Sequence, residues 1–235
     1  MPAPYDRKTM KNNKFKFLYL TVVLLSCFIC ACASSEIAKN EADSTDTNKA
    51  ANVKNIDGTE AGIGEEKFYV YEDFMSPNNH YAPSGWMGDF GDLKLDQSCS
   101  ESQKNGKNCI KITYTAEMKQ GAGWTGIYWQ QPANNWGEKK GGYNLTGAKK
   151  LTFWARGANG GEKIAEFKMG GITGEYPDSD SAVIGPIELT KKWQQYSIDL
   201  EEKDLSCIIG GFCFAASKDD NPEGFVIYLD DIMYE

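Results

Sequence analysis

The sequence has one histidine, His80, among its 235 residues. That scarcity excludes multi-histidine metal centres and leaves a Ser-His-Asp arrangement only one route. No nucleophile elbow, phosphate-binding glycine loop or zinc-ligand spacing is present. Basic clusters are missing too: formal net charge is −8, and without residues 1–32 it is about −12, from 20 Lys and Arg against 32 Asp and Glu. Nucleic acid and anionic polysaccharide are therefore poor partners, because binding by counterion release needs basic clusters. Among Cys99, Cys109, Cys207 and Cys213 there is no C-x-x-C spacing, which argues against a redox role. Beyond residue 67 no amphipathic helical period and no internal repeat emerges.

The N-terminus reads as an export signal. Lys11, Lys14 and Lys16 precede an uncharged apolar run from Phe17 to Ile29 that is short for a membrane span. The run ends in Ile29-Cys30-Ala31-Cys32, and Leu24-Leu25-Ser26-Cys27 precedes it; both resemble a bacterial lipobox. Cys32 is the expected lipidated residue, since Ala31 is small and Ala33-Ser34-Ser35 is a soluble start, whereas Cys27 would leave Phe28 and Ile29 exposed. An ordinary secretory signal is the alternative. Residues 33–67 carry no aromatic side chain and are rich in Ser, Asn, Asp, Glu, Ala and Thr. They read as a disordered polar linker reaching roughly 30 Å. The expected location is the bacterial cell envelope, with a lipid anchor as the membrane contact.

Residues 68–235 form one domain by length, and their pattern is all-β. Short alternating or aromatic runs are predicted as strands at 68–74, 109–115, 126–130, 150–156, 164–169, 182–189, 193–200, 208–216 and 225–234, separated by Gly, Pro, Asn and Asp. Nine such runs imply a β-sandwich. Alternation buries Leu151, Phe153 and Ala155, placing Trp154 and Arg156 opposite; it buries Ile127 and Trp129, turning Tyr128 and Gln130 outward. Likewise Ala165, Phe167 and Met169 go inward, leaving Glu166 and Lys168 outside.

The densest chemistry lies at Gly123–Trp136, where four large rings (Trp124, Tyr128, Trp129, Trp136) and four amides (Gln130, Gln131, Asn134, Asn135) share fourteen residues. Rings that stack on the C–H face of a pyranose, with amides that meet its hydroxyls, suit a sugar. The expected ligand set is Trp124, Tyr128, Gln130, Asn134, Asn135, Trp136, Trp154, Arg156 and Glu166. His80, Trp86 and Asp89, from a second polar-aromatic stretch at 78–89, complete it. The plainer reading of the same residues is core rings followed by a solvated loop. Cys99 and Cys109 flank an excursion whose ends could meet, so a disulfide is expected there in an oxidising compartment. Cys207 and Cys213 would sit roughly 20 Å apart on a straight strand and would need a turn at Gly210-Gly211, or other partners, to bridge.

Four stretches occur in order: Tyr71-Glu72-Asp73-Phe74, Tyr143 through Gly157 containing Leu151-Thr152-Phe153-Trp154-Ala155-Arg156, Trp193 through Leu200, and Tyr228-Leu229-Asp230-Asp231-Ile232. Together they resemble the galactose-binding-like β-jelly roll of carbohydrate-binding modules, across residues 68–235. The resemblance implies a jelly roll that binds a poly- or oligosaccharide on a concave sheet face or in loops at one end. It also implies a structural calcium between the first and last strands, for which Glu72 with Asp231, and Asp230 beside it, are the expected oxygen donors. Catalysis is not expected. A glycan-active hydrolase would need two of Asp89, Glu166, Glu175 and Asp178 facing each other across about 5–9.5 Å. A structural or partner-binding jelly roll is the remaining alternative, and it leads if the rings turn inward.

Overall fold

The structure, a computed structural model, describes residues 67–235. The signal segment 1–32 with Cys32, and the linker except Lys67, lie outside the described residues. Thirteen strands follow in chain order. They are β1 (Phe68–Tyr71), β2 (Ala82–Gly88), β3 (Leu93–Cys99), β4 (Cys109–Tyr114), β5 (Trp124–Gln130), β6 (Lys150–Gly157) and β7 (Lys163–Ile164). After these come β8 (Glu166–Gly170), β9 (Ser181–Ile184), β10 (Ile187–Glu188), β11 (Gln194–Asp199), β12 (Gly210–Ser217) and β13 (Phe225–Tyr234).

Two antiparallel sheets make a jelly-roll sandwich. One has the order β11-β6-β13-β4-β3, with β1 also on β13; the other is β2-β5-β12-β8-β9, and β7 and β10 form a separate two-stranded ribbon. Strand β13 accommodates β4 along Phe225–Leu229 and β1 along Ile232–Tyr234, so the first and last strands pair as the resemblance implies. The sheets join through aromatic packing. Phe153 of β6 lies 4.7 Å from Phe167 of β8 and 5.1 Å from Phe212 of β12, and Trp129 of β5 lies 5.5 Å from Phe212. Burying Ile127, Trp129, Leu151, Phe153, Ala155, Phe167 and Met169 sets the register, since a one-residue slip would turn each of them to solvent.

A strand forms within every expected run, but the first stops at Tyr71 rather than Phe74, where the chain turns, and two others break where the chain changes sheet. The run 164–169 is interrupted at Ala165, which is exposed rather than buried: Ile164 pairs with Ile187 in the ribbon, while Glu166 pairs with Ala215 in the sheet. The run 182–189 is interrupted at Gly185-Pro186. Strands β2 and β3 were not expected. Strand β2 is an edge strand with a bulge between Pro83 and Gly85, a place where a residue without an N–H is tolerated.

Cys99 and Cys109 stand opposite one another across β3 and β4, yet both are thiols, as are Cys207 and Cys213, so the expected disulfide is not formed. They pack with Tyr228 in an apolar cluster. Burial, then the neighbouring Cys99, pushes the Cys109 thiol far above its ordinary range, which suppresses the thiolate that exchange requires.

Candidate functional site

The outer face of the five-stranded sheet is where the ring-rich stretch emerges. Because Ile127 and Trp129 enter the core, Trp124, Gly126, Tyr128 and Gln130 of β5 point the other way. Cys213 lies opposite Tyr128, and with Ile172 and Ile209 they build an apolar floor against which Met87 packs. Met87 fills the space above Gly126, where a side chain's Cβ would fall 2.9 Å from its Cε. Tyr128 is 4% exposed and donates its hydroxyl to the Gly170 carbonyl at 3.0 Å. Trp136 meets Tyr128 edge-on at 5.8 Å. Two indoles on this side of the sheet stay open, Trp136 against the floor at 39% and Trp124 at the start of β5 at 41% exposure. Four residues of strand, roughly 13 Å, separate Trp124 from Tyr128 beneath Trp136. Lys168 flanks the floor, its Nζ 5.3 Å from the Tyr128 ring and 4.0 Å from the Glu166 carboxylate, with Glu166 half-exposed beside it.

Two expected ligand amides are spent on holding this geometry. Asn135 is fully buried: its Nδ2 donates to the Lys139 carbonyl at 2.8 Å, and its Oδ1 accepts from the Gly137 and Lys139 amides at 3.2 and 3.3 Å. Gln130, 1% exposed, donates to the Asn135 carbonyl at 3.0 Å and accepts from Ser84 Oγ at 2.9 Å. Ser84 Oγ in turn accepts the Asn134 amide at 2.8 Å. Buried amides must be paired, and at 1% and 0% exposure neither side chain faces solvent. Gln130 and Asn135 therefore position Trp136 rather than face a ligand, whereas Asn134 stays exposed, with a left-handed φ of 57°. Asp178 does a similar job beneath the neighbouring loop by accepting the amides of Ile172 at 2.8 Å, Gly210 at 3.2 Å and Ile209. Ser84 carried no sequence signal, because its partners Gln130 and Asn134 are distant in the chain, and Asp178 was read only as a candidate acid, its amide partners at Ile209 and Gly210 lying some 30 residues away.

Asp89 is buried as well. It accepts the amides of Gln120 and Ala122 at 2.9 Å and Gly123 at 2.7 Å, fixing the turn that delivers Trp124. Burial pushes its carboxyl up, but those donors pull it below the ordinary aspartate range. Trp86, 38% exposed on the edge strand, lies opposite Ile127 and so does not share the outer face with Tyr128. His80 stacks on Phe68 at 3.9 Å, with Nδ1 3.1 Å from the Tyr69 carbonyl; burial holds its imidazole below the usual value. His80 and Asp89 thus brace the fold at their own positions.

Trp154 and Arg156 belong to the opposite sheet. They project from the outer side of β6, as alternation implies, but the 100–108 loop covers them. Lys104 Nζ lies 4.2 Å over the Trp154 ring. The Arg156 guanidinium lies 4.1 Å over Tyr228 and 5.7 Å from Trp193, and donates to the Gly157 carbonyl at 3.0 Å and to Ser102. The single ligand set read from the sequence is therefore divided between two faces of the sandwich.

The terminal-strand carboxylates are also engaged by the chain. Glu72 Oε2 accepts from Ser76 Oγ at 2.6 Å and Asn78 Nδ2 at 2.9 Å. Asp230, fully buried, accepts the amides of Lys104 at 2.8 Å, Asn105 at 3.2 Å and Asp231 at 3.0 Å, and burial pushes its carboxyl up to about 6. Asp231 accepts from the Asn105 side chain. Among the described residues no three acidic, histidine or cysteine side chains gather as a metal cluster. Glu72 Oε2, both Asp230 oxygens and Asp231 Oδ2 thus accept from the chain's own donors.

Neither a protein-family model nor a curated protein sequence matches the chain. Solved structures do. One family 30 carbohydrate-binding module is 15% identical with a TM-score of 0.50, covering 72% of this chain and 98% of its own. Another, from a cellulosomal cellulase of Clostridium thermocellum, is 16% identical with a TM-score of 0.49 over 72% and 97%. A family 11 module from a second cellulosomal cellulase of that organism is 17% identical with a TM-score of 0.44 over 74% and 95%. At these identities the likeness is one of fold: the described domain has the jelly roll of carbohydrate-binding modules.

Proposed function

We propose that this chain is an exported, lipid-anchored, non-catalytic protein whose jelly-roll domain binds a neutral glycan on the outer face of its five-stranded sheet. The observation that carries the reading is the pair of open indoles on one sheet face: Trp136 edge-on to Tyr128 of the apolar floor, and Trp124 at the start of the same strand. Large rings left exposed at the cost of apolar hydration mark a surface made for an apolar partner face, and a pyranose ring offers one. Asn134, Lys168 and Glu166 supply donors and acceptors at the margin for hydroxyls. The modules with the same fold are named for carbohydrate binding, which supports this reading.

Stacking and hydrogen bonding are enough for binding without chemistry. Of the acids near the floor, Asp89 and Asp178 are consumed by backbone amides, which favours the non-catalytic reading. Lipidation at Cys32 would place the domain at an envelope membrane. A screen of the full chain against neutral and acidic glycans tests the proposal. Retention of neutral oligosaccharides that is lost in Trp124→Ala and Trp136→Ala chains supports it; retention of none, or of acidic glycans alone, refutes it. Mass spectrometry of the membrane fraction tests the anchor, and an N-terminus other than acylated Cys32 refutes that part.

A further inference from the structure

Among the described residues, Lys168 is the least exposed of the ion-paired lysines, with 25% of its side chain open, and the only one whose partners all lie beyond hydrogen-bond reach. Lys111 Nζ donates to Glu101 at 2.9 Å and Lys203 Nζ to Asp180 at 3.2 Å. Lys168 Nζ instead stands 4.0 Å from Glu166 Oε1 and 5.3 Å from the Tyr128 ring, too far from either for a hydrogen bond. The ammonium has given up water without gaining an acceptor, and its three donors and the Glu166 carboxylate are both unspent. Register places the pair on the ring-bearing face. Lys168 pairs with Cys213, which pairs with Tyr128; Glu166 pairs with Ala215, which pairs with Gly126. Lys168 is therefore level with Tyr128, and Glu166 lies one step toward Trp124. Apolar surface continues past the pair at Val183 of β9, opposite Lys168 and 58% exposed.

We propose that Lys168 and Glu166 act together as a clamp on two adjacent hydroxyls of the bound sugar, so that the ligand class is a neutral glycan whose internal residues keep such a diol free; this rests on the outer face being the glycan site. Adjacent hydroxyl oxygens of a pyranose stand roughly 3 Å apart, about a hydrogen-bond length. A donor and an acceptor 4.0 Å apart match them: Nζ donates to one oxygen while the carboxylate accepts the hydrogen of the next. Both bonds are charge-assisted, and neither group gives up an intramolecular hydrogen bond to make them. Trp136 at 5.8 Å and the Lys168 ammonium at 5.3 Å flank the same Tyr128 ring, so a sugar stacked on the indole brings its hydroxyl rim toward the pair. The Tyr128 ring steadies the ammonium and Glu166 offsets its charge, which leaves no net charge for an anionic ligand to meet. Linkage then matters. A β-1,4 bond leaves adjacent hydroxyls free on every internal hexose, whereas a β-1,3 bond consumes the middle oxygen and leaves no adjacent pair on an internal glucose.

Titration calorimetry of the full chain with hexasaccharides of β-1,4-linked glucose, galactose and mannose, and of β-1,3-linked glucose, tests the proposal. Wild type should bind at least one β-1,4-linked probe about tenfold or more tightly than the β-1,3-linked one. Lys168→Met and Glu166→Gln should each melt as wild type, lose most of that preference and bind the favoured probe about tenfold more weakly, as loss of a hydrogen bond to a charged group implies. Glu166→Gln is isosteric, so it decides alone if Lys168→Met does not fold. Two failures read differently. Binding of no neutral glycan in the screen, or binding untouched by Trp136→Ala, refutes the glycan face on which the clamp depends. Binding that needs Trp136 but is unchanged in Lys168→Met and Glu166→Gln, or that favours the β-1,3-linked probe, overturns the clamp alone.

Discussion

The two outer faces of this sandwich carry similar residues and differ in what the chain lays over them. On the six-stranded sheet the rings of Trp154 and Tyr228 are covered by Lys104 and Arg156, cations already within 4.2 Å and 4.1 Å. On the five-stranded sheet Trp124 and Trp136 are open, and the neighbouring amides of Gln130 and Asn135 are turned inward to hold the loop. A ring capped by an intramolecular cation has its quadrupole satisfied and its face blocked. The difference teaches that residue types suited to a glycan identify a ligand face only when no loop of the same chain has reached it first.

The strongest way to break the comparison is to remove both open rings. Trp124→Ala combined with Trp136→Ala should abolish measurable glycan binding, each ring contributing about 1–3 kcal/mol as anchors do at other interfaces. Cooperative melting should persist, since neither ring is core. A combined variant that binds as wild type would move the site off this face.

A smaller effect should come from beneath the face. Asn135→Ala leaves the amides of Gly137 and Lys139 and the Lys139 carbonyl unpaired, so stability should fall by about 1–3 kcal/mol in denaturant titrations. Affinity should fall with it as Trp136 loses its support. Unchanged stability would mean that the Asn135 bonds are replaced by water at no cost.

Beneath the covered face, Asp230 offers a pH handle. Its folded carboxyl is pushed up to about 6 from the ordinary 3.8, so the folded state holds a proton that the unfolded chain has lost. That contribution to stability is fully present below about 3.8 and disappears as pH rises through about 6. The melting temperature of Asp230→Asn minus that of wild type should therefore increase between pH 4 and pH 7. A difference that is flat across this window contradicts the assignment. Carboxyls held low by hydrogen bonds, such as Asp96 and Asp180, slope the other way in both proteins and cancel in the difference.

Much of the fold was legible because the core is written in alternating aromatics. Leu151, Phe153 and Ala155 against Trp154 and Arg156, and Ile127 and Trp129 against Tyr128, fall on the sides their spacing implies. Strands β2 and β3 escaped because Pro83, Gly85, Asp96, Gln97 and Ser98 read as loop, and only pairing with β5 and β4 makes them strands. At the site, the ring types were legible and their partners were not. That Lys104 would lie over Trp154, or that Asp89 would hold the 120–123 amides, depends on contacts between segments some 30 to 50 residues apart, and alternation carries no information about them. Alternation also says which way a side chain points without saying whether it reaches solvent. Tyr128 and Gln130 do point outward, and both are buried under Trp136, Ser84 and their loops.

The most direct test sets the two faces against each other in one assay. Affinity for the best glycan found by the screen should be measured by titration calorimetry for wild type, Trp136→Ala and Trp154→Ala, with melting curves for all three. The account predicts that Trp136→Ala binds at least several-fold more weakly at nearly unchanged melting temperature, and that Trp154→Ala binds as wild type. Loss of affinity in Trp154→Ala with none in Trp136→Ala would contradict it and assign recognition to the six-stranded face.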